Sequence, residues 1–232
     1  MVLPLYLAMT AREMADADTP PPHFGWMACH FDPDGPGLRD IPEAMPPGAM
    51  LILNDRVPCR GHDPARIAAE LAEAAARLRC DSVLLDFERE PDENSGMVAH
   101  ALFEALPCPV AAPPGFSEHS DRPVFLPPCP LHVPLAKHLC PWQGREIWLD
   151  VTRQQQTITV TPDGTQYLPA VSTDRPDGGR FDETLLCQYL TDITADEVTF
   201  TLFDTPETLK QKLRHAASLG VVRTVGLFQE LK

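Results

Sequence analysis

Basic residues are scarce and never clustered: 19 Lys and Arg stand against 33 Asp and Glu, a formal net charge of −14 over 232 residues. Such a surface repels phosphate backbones and anionic headgroups, so nucleic acid and membrane are poor partners and a neutral or cationic ligand is easier to accommodate. No run approaches the roughly 18 apolar residues that a membrane-spanning helix needs. The opening Met1-Val-Leu-Pro-Leu-Tyr-Leu-Ala-Met9 lacks a basic leader and soon meets Arg12, Glu13, Asp16 and Asp18. It reads as a first strand, not a signal peptide, and the expected compartment is the cytoplasm. Cys-x-x-Cys is missing: the cysteines at 29, 59, 80, 108, 129, 140 and 187 are never closer than eleven positions. That spacing excludes a paired-thiol metal or redox motif and favours reduced, mostly buried thiols. No metal and no cofactor is implied. There is also no internal repeat and no long low-complexity tract.

What is present is apolar enough, at 44%, to bury one sizeable core, so a single domain over 1–232 is expected. Apolar runs at 3–9 and 24–31 predict two strands, and Ala49-Met-Leu-Ile-Leu-Asn54 a third. Asp63-Pro64 then supplies an N-cap and a first-turn proline, and Ile67, Leu71, Ala74 and Leu78 follow at helical spacing before strand resumes at Ser82. This is a βαβ unit, whose right-handed crossover makes the two strands parallel and sets the helix outside the sheet. A second helix is expected at about 95–106, then a short strand at Cys108–Ala112. The prolines from 107 to 141 leave no room for a helix of ordinary length, so short strands there are joined by loops. Glu146–Val151 reads as a strand. Asp163-Gly164 centres a hairpin inserted at about 154–171. At the end, strand Val198–Phe203, the cap Thr205-Pro206, a helix stopped by Gly220 and strand Arg223–Phe228 read as a second βαβ unit.

The chemistry concentrates at Asp81-Ser-Val-Leu-Leu-Asp-Phe-Glu88. Side chains alternate across a strand, so Leu84, Asp86 and Glu88 share one face while Val83, Leu85 and Phe87 share the other. The apolar set would meet the helices, which turns the two acids inward. In a parallel barrel the C-terminal ends of the strands open at the mouth where the chemistry resides. Residues two apart on a strand are separated by roughly 6.7 Å along its axis. At that range an ionised Asp86 would raise the Glu88 pKa toward useful acidity.

This segment resembles the fourth barrel strand of the family 18 glycoside hydrolases, the chitinase group, which reads Asp-Gly-x-Asp-x-Asp-x-Glu. Asp81, Asp86 and Glu88 match, and Leu84 stands where the family has its middle Asp. Phe203-Asp204-Thr205-Pro206-Glu207-Thr208-Leu209 through Lys212 is similar to the family's Tyr-Asp-Asp-Pro-Glu-Ser-Leu run and later Lys. Gly220–Leu231 resembles its last strand, with Phe228 at the place of a sugar-stacking Trp. The resemblance implies a compact, irregular (β/α)8-type TIM barrel of the α/β class, lacking some helices and carrying the inserted hairpin. It implies Glu88 as general acid and Asp86 as the group that orients and stabilises the substrate's acetamide, whose own oxygen attacks the anomeric carbon. The ligand would be an N-acetylated glycan, a carbohydrate partner. If Glu146–Asp150 matches the family's Met-x-Tyr-Asp strand, Asp150 is kept and Leu149 replaces the Tyr, with Tyr167 or Tyr189 as candidate substitutes.

Asp55 and Asp150, at predicted strand ends, are candidate rim contacts for substrate, and Trp26 and Phe228 candidate stacking platforms, with Trp142 and Phe116 as further aromatics of the same kind. The loop His30-Phe-Asp32-Pro-Asp34-Gly35 has metal-ligating residue types but reads better as a turn with solvated acids. Lys137 has the chemistry of a Schiff-base amine and the setting of a surface lysine. Two functions fit: an enzyme cleaving an N-acetylhexosamine-containing glycan, and an inactive barrel that binds a saccharide or protein through the same mouth.

Overall fold

The computed structural model describes residues 3–17, 19, 21–117, 120–169, 176 and 178–231, and the chain divides into two compact units. One takes in Pro4–Pro127, Gly144–Asp150 and Val221–Lys232; the other takes in Met1–Leu3, Pro128–Gln143 and Val151–Gly220. The first is an eight-stranded parallel barrel. Its strands, in chain order, are Leu5–Met9, Phe24–Phe31, Met50–Asn54, Ser82–Asp86, Val110–Ala111, Val124–Leu126, Ile147–Asp150 and Val221–Leu227. Each pairs in parallel with its neighbour, and the last pairs with the first. Between the fifth and sixth strands closure rests on the single bridge Ala112–Val124, where the Phe125 amide donates to the Ala112 carbonyl at 2.8 Å. That weak seam is where the prolines fall.

The helix Pro64–Leu78 forms for the reasons legible in its sequence. Asp63 caps it by accepting from the Ala65 amide at 3.1 Å, and Ile67, Leu71, Ala74 and Leu78 are all buried. The helix Glu93–Ala105 opens on a capping box between Asp92 and Ser95. Both helices pack on the outward side chains Leu51, Leu53, Val83, Leu85 and Phe87. The inward side chains Tyr6, Ala8, Met50, Ile52, Leu84, Phe125, Trp148 and Val225 fill the barrel. Each large apolar side chain buried this way contributes roughly 1.5–3 kcal/mol. At the N-terminal end of the barrel, Asp81 accepts from Arg223 Nη1 at 2.5 Å and from the Tyr6 hydroxyl. Arg223 also lies over the Trp148 ring at 5.0 Å. Burial and the Asp81 carboxylate together push the Tyr6 hydroxyl up to about 12.

The second unit corrects one expectation. The hairpin Gln155–Thr161 with Gly164–Pro169 belongs to a five-stranded antiparallel sheet together with Arg180–Asp182, Cys187–Ile193 and Val198–Phe203. Val198–Phe203 therefore pairs antiparallel in that sheet and is not a barrel strand, so the second βαβ unit does not exist. Its helix Pro206–Ser218 does form, with Thr205 and Thr208 as its capping box. Asp204, 1% exposed, holds Lys212 Nζ at 2.6 Å. The expected hairpin end at 170–171 lies outside the described residues. Among those described, no helix is long and apolar enough to cross a membrane.

Candidate active site

Four barrel strands end on polar or small apolar groups at one rim: Asn54, Asp86, Asp150 and Leu227. Asn54 and Asp86 lie opposite each other in register, and both follow inward neighbours, Ile52 and Leu84, so both face the barrel axis. Asn54 is fixed there because its amide nitrogen donates to the Met27 and Cys29 carbonyls, each at 2.9 Å.

A cavity of about 170 Å³ opens over the barrel core, with Ile52, Leu84, Phe125 and Val225 as its floor and Asp86, Glu88 and Asp150 on its wall. A wider cavity of about 420 Å³ shares Met27, Asp86 and Glu88 with it and runs toward Asn54, Arg56, Thr10 and Arg12. Asp86 and Glu88 thus border both spaces. Loss of hydration, reinforced by the charges of Glu88 and Asp55, raises the Asp86 carboxyl to about 6, and no hydrogen bond from a described residue offsets these causes. The raised group is Asp86, the acid closer to the core, while Glu88 is exposed.

Asp55, which also lines the wider cavity, has a second part that its position did not suggest. It is 7% exposed, and its two carboxylate oxygens accept from the Glu88 and Arg89 amides, both at 3.0 Å. Arg89 answers by donating from Nε to the Asp55 carbonyl at 2.9 Å and from Nη2 to the Arg56 carbonyl at 3.1 Å. The loops after the third and fourth strands are stitched together by these four bonds. An Arg directly after Glu88 carries no sequence signal that it ties two loops together.

Trp26 and Phe228 are not brought to the cavity. Trp26 alternates with the inward Gly25 and Met27, packs against the outer core and donates its indole nitrogen to the Asp40 carbonyl at 2.8 Å. Phe228 starts the short helix Phe228–Leu231 and packs with Met9, Phe24 and Ala49. Phe116 stacks edge-on against Phe87 among the outer helices. Leu149 lies between the inward Trp148 and Asp150 and so faces the other side of its strand, where it lines no part of the cavity. Tyr167, Tyr189, Trp142 and the exposed Lys137 belong to the second unit. In the His30 loop, Asp32 takes the Arg39 guanidinium at 2.7 Å and the Asp34 amide at 2.9 Å, a turn and not a ligand cage. Among the described residues no group of three His, Cys, Asp or Glu side chains is placed to hold a metal ion.

No family model and no curated protein matches the chain. Solved structures do. The family 18 N-acetylglucosaminidase from Paenibacillus barengoltzii superimposes with a TM-score of 0.60 at 10% identity, over 99% of this chain and 97% of that one. The fold is that of the family 18, chitinase-like barrels. The class V chitinase from Nicotiana tobaccum, solved in complex with NAG4, is similar at a TM-score of 0.62 and 9% identity, over 100% of this chain and 95% of that one. The chitinase-like agglutinin from Robinia pseudoacacia reaches 0.62 at 14% identity, over 98% and 95%. In this family-18-type barrel Asp86 ends the fourth strand and Glu88 follows two residues on, in the segment whose residues first suggested the family.

Proposed function

We propose that the protein is a glycoside hydrolase that cleaves an N-acetylhexosamine-containing glycan with retention of configuration, using the substrate's own acetamide. Glu88 gives a proton to the glycosidic oxygen as that bond to the anomeric carbon breaks. The acetamide carbonyl oxygen forms the new bond to that carbon, and Asp86, ionised, accepts the acetamide N–H and balances the developing positive charge. Water then attacks the anomeric carbon, Glu88 takes its proton, and the acetamide is released. The narrow cavity over Leu84 and Phe125 suits a small group such as the acetamide, and the wider one suits neighbouring sugars. Asp150, on the same wall, and Asp55, on the wall of the wider cavity, are candidates for substrate contact.

The observation that carries this reading is the pair of carboxyl groups, Asp86 and Glu88, bordering one cavity over the barrel axis. The proposed setting is the cytoplasm, a reading supported by the unpaired cysteines. The test is proton NMR of the first product released from a chitooligosaccharide. Retention supports the acetamide-assisted route; an inverted anomer removes it.

A second reading has its own support. Leu84, 1% exposed, occupies the floor where the family's middle Asp would sit, and one similar structure is an agglutinin. A barrel that binds saccharide without turnover fits both facts. It is separated from the first by incubating the protein with chitooligosaccharides: binding with no product favours the binder.

A further inference from the structure

The wider cavity joins opposite charges. Beside Asp55, Asp86 and Glu88, its wall carries Arg12, from the short helix Ala11–Asp16 after the first strand, and Arg56, from the loop after the third. In a chain with 19 basic residues and a net charge of −14, two guanidinium groups at the rim of the acid site stand out from the background.

Arg56 is held in place. Its amide donates to Asn54 Oδ1 at 3.3 Å and its carbonyl accepts from Arg89, so the backbone is anchored on both sides. Its guanidinium lies 3.0 Å from the buried His30 ring and 3.5 Å from an Asp40 carboxylate oxygen, and the side chain is still 59% exposed. Arg12 is looser: its side chain is 92% exposed and, among the described residues, pairs with the exposed Asp16 at 3.7 Å. Exposed pairs of that kind are worth little, so exchanging Asp16 for a ligand costs little. Guanidinium groups stay charged at every working pH and present a planar fork that matches a carboxylate.

Resting on the glycosidase reading, we infer that the glycan carries a carboxylate next to its reacting N-acetylhexosamine, and that Arg56 and Arg12 receive it. The carboxylate must lie at the arginine end of the cavity, because Asp86 and Glu88 repel it at the other. Sugars offer this chemistry in two ways, as a uronic acid or as a carboxylate borne on an ether substituent. Selection for the anionic chain would come from Arg56, the preoriented group, with Arg12 adding a screened, long-range contribution.

The test is calorimetric titration at low salt, in a Glu88→Gln background that stops turnover, with three tetrasaccharides: neutral chitotetraose, a glucuronate-containing hyaluronan fragment, and a muramic-acid-containing glycan fragment. The expected result is binding of one carboxylate-bearing fragment about tenfold more tightly than chitotetraose, or about 1.4 kcal/mol. The fragment preferred identifies the carboxylate's source. Adding Arg56→Gln brings the ratio close to one. Because Arg56 also braces His30, Arg12→Gln serves as the variant that cannot disturb folding, and it lowers the ratio by a smaller factor. Equal or tighter binding of chitotetraose overturns this inference and leaves the glycosidase reading standing. So does a preference that survives both substitutions. Binding of none of the three overturns both.

Discussion

The Asp55 carboxylate accepts the backbone amide of Glu88 at 3.0 Å, and its second oxygen takes the next amide, that of Arg89, at the same distance. An acid buried to 7% exposure is thereby neutralised by peptide dipoles in place of a cation. The consequence is positional: the chain leaving the fourth strand is fixed at the residue whose side chain would donate the proton. Asp55→Ala leaves both amides without this acceptor, at a cost of roughly 2–4 kcal/mol. Urea unfolding of the variant measures it. The glycosidase activity is expected to fall further than the loss of folded protein accounts for, and Asp55→Asn, which keeps one acceptor oxygen, to lie between. Unchanged stability in Asp55→Ala would sink this role.

Asp86 links the site to pH. Its carboxyl is raised from 3.8 to about 6, chiefly by burial, so the folded protein holds a proton that the unfolded chain releases earlier. A raised carboxyl stabilises the fold fully below its unfolded value, and that contribution is lost as pH rises through the folded value. Relative to Asp86→Asn, the wild type should therefore lose roughly 3 kcal/mol of stability between about pH 4 and 7. Denaturant unfolding at several pH values gives the difference curve. A flat curve would mean that Asp86 is hydrated and does not face the barrel core.

Leu84 explains why the family's middle Asp is dispensable to this fold. It is 1% exposed and packed in the inner apolar cluster that includes Met50, Ile52 and Ala111. Restoring the acid as Leu84→Asp places an unpaired carboxyl in an apolar floor beneath Asp86. The expected cost is about 3–5 kcal/mol. Thermal or urea unfolding checks it, and a variant as stable as the wild type would show that the floor is wetter than its lining implies.

Much of the barrel was legible in the residues. The period of Ile67, Leu71, Ala74 and Leu78 and the cap at Asp63 specify one helix, and the alternation Leu84-Leu85-Asp86 specifies which way the acid points. Val198–Phe203 misleads because an apolar strand followed by a capped helix looks the same whether its pairing is parallel or antiparallel, and pairing is a long-range property. Trp26 and Phe228 mislead for a related reason. Sequence places an aromatic near a strand end, but the face it occupies is set by the neighbours, Gly25 and Met27 for one and the turn into a terminal helix for the other. For Asp55, an acid after a strand reads the same whether it meets a ligand or two amides. The arginines of the wider cavity come from a short helix and a loop distant in sequence, which only the barrel brings to one wall.

The most direct test of the central claim, that Asp86 and Glu88 act together on an N-acetylated glycan, is turnover of chitotetraose by wild type, Glu88→Gln and Asp86→Asn, with binding measured in parallel. The expected result is measurable hydrolysis by the wild type and a loss of about 10²–10⁴-fold in Glu88→Gln with binding retained. Asp86→Asn should lose hydrolysis as well. Equal hydrolysis by wild type and Glu88→Gln, or no binding of the oligosaccharide by any of the three proteins, would contradict it.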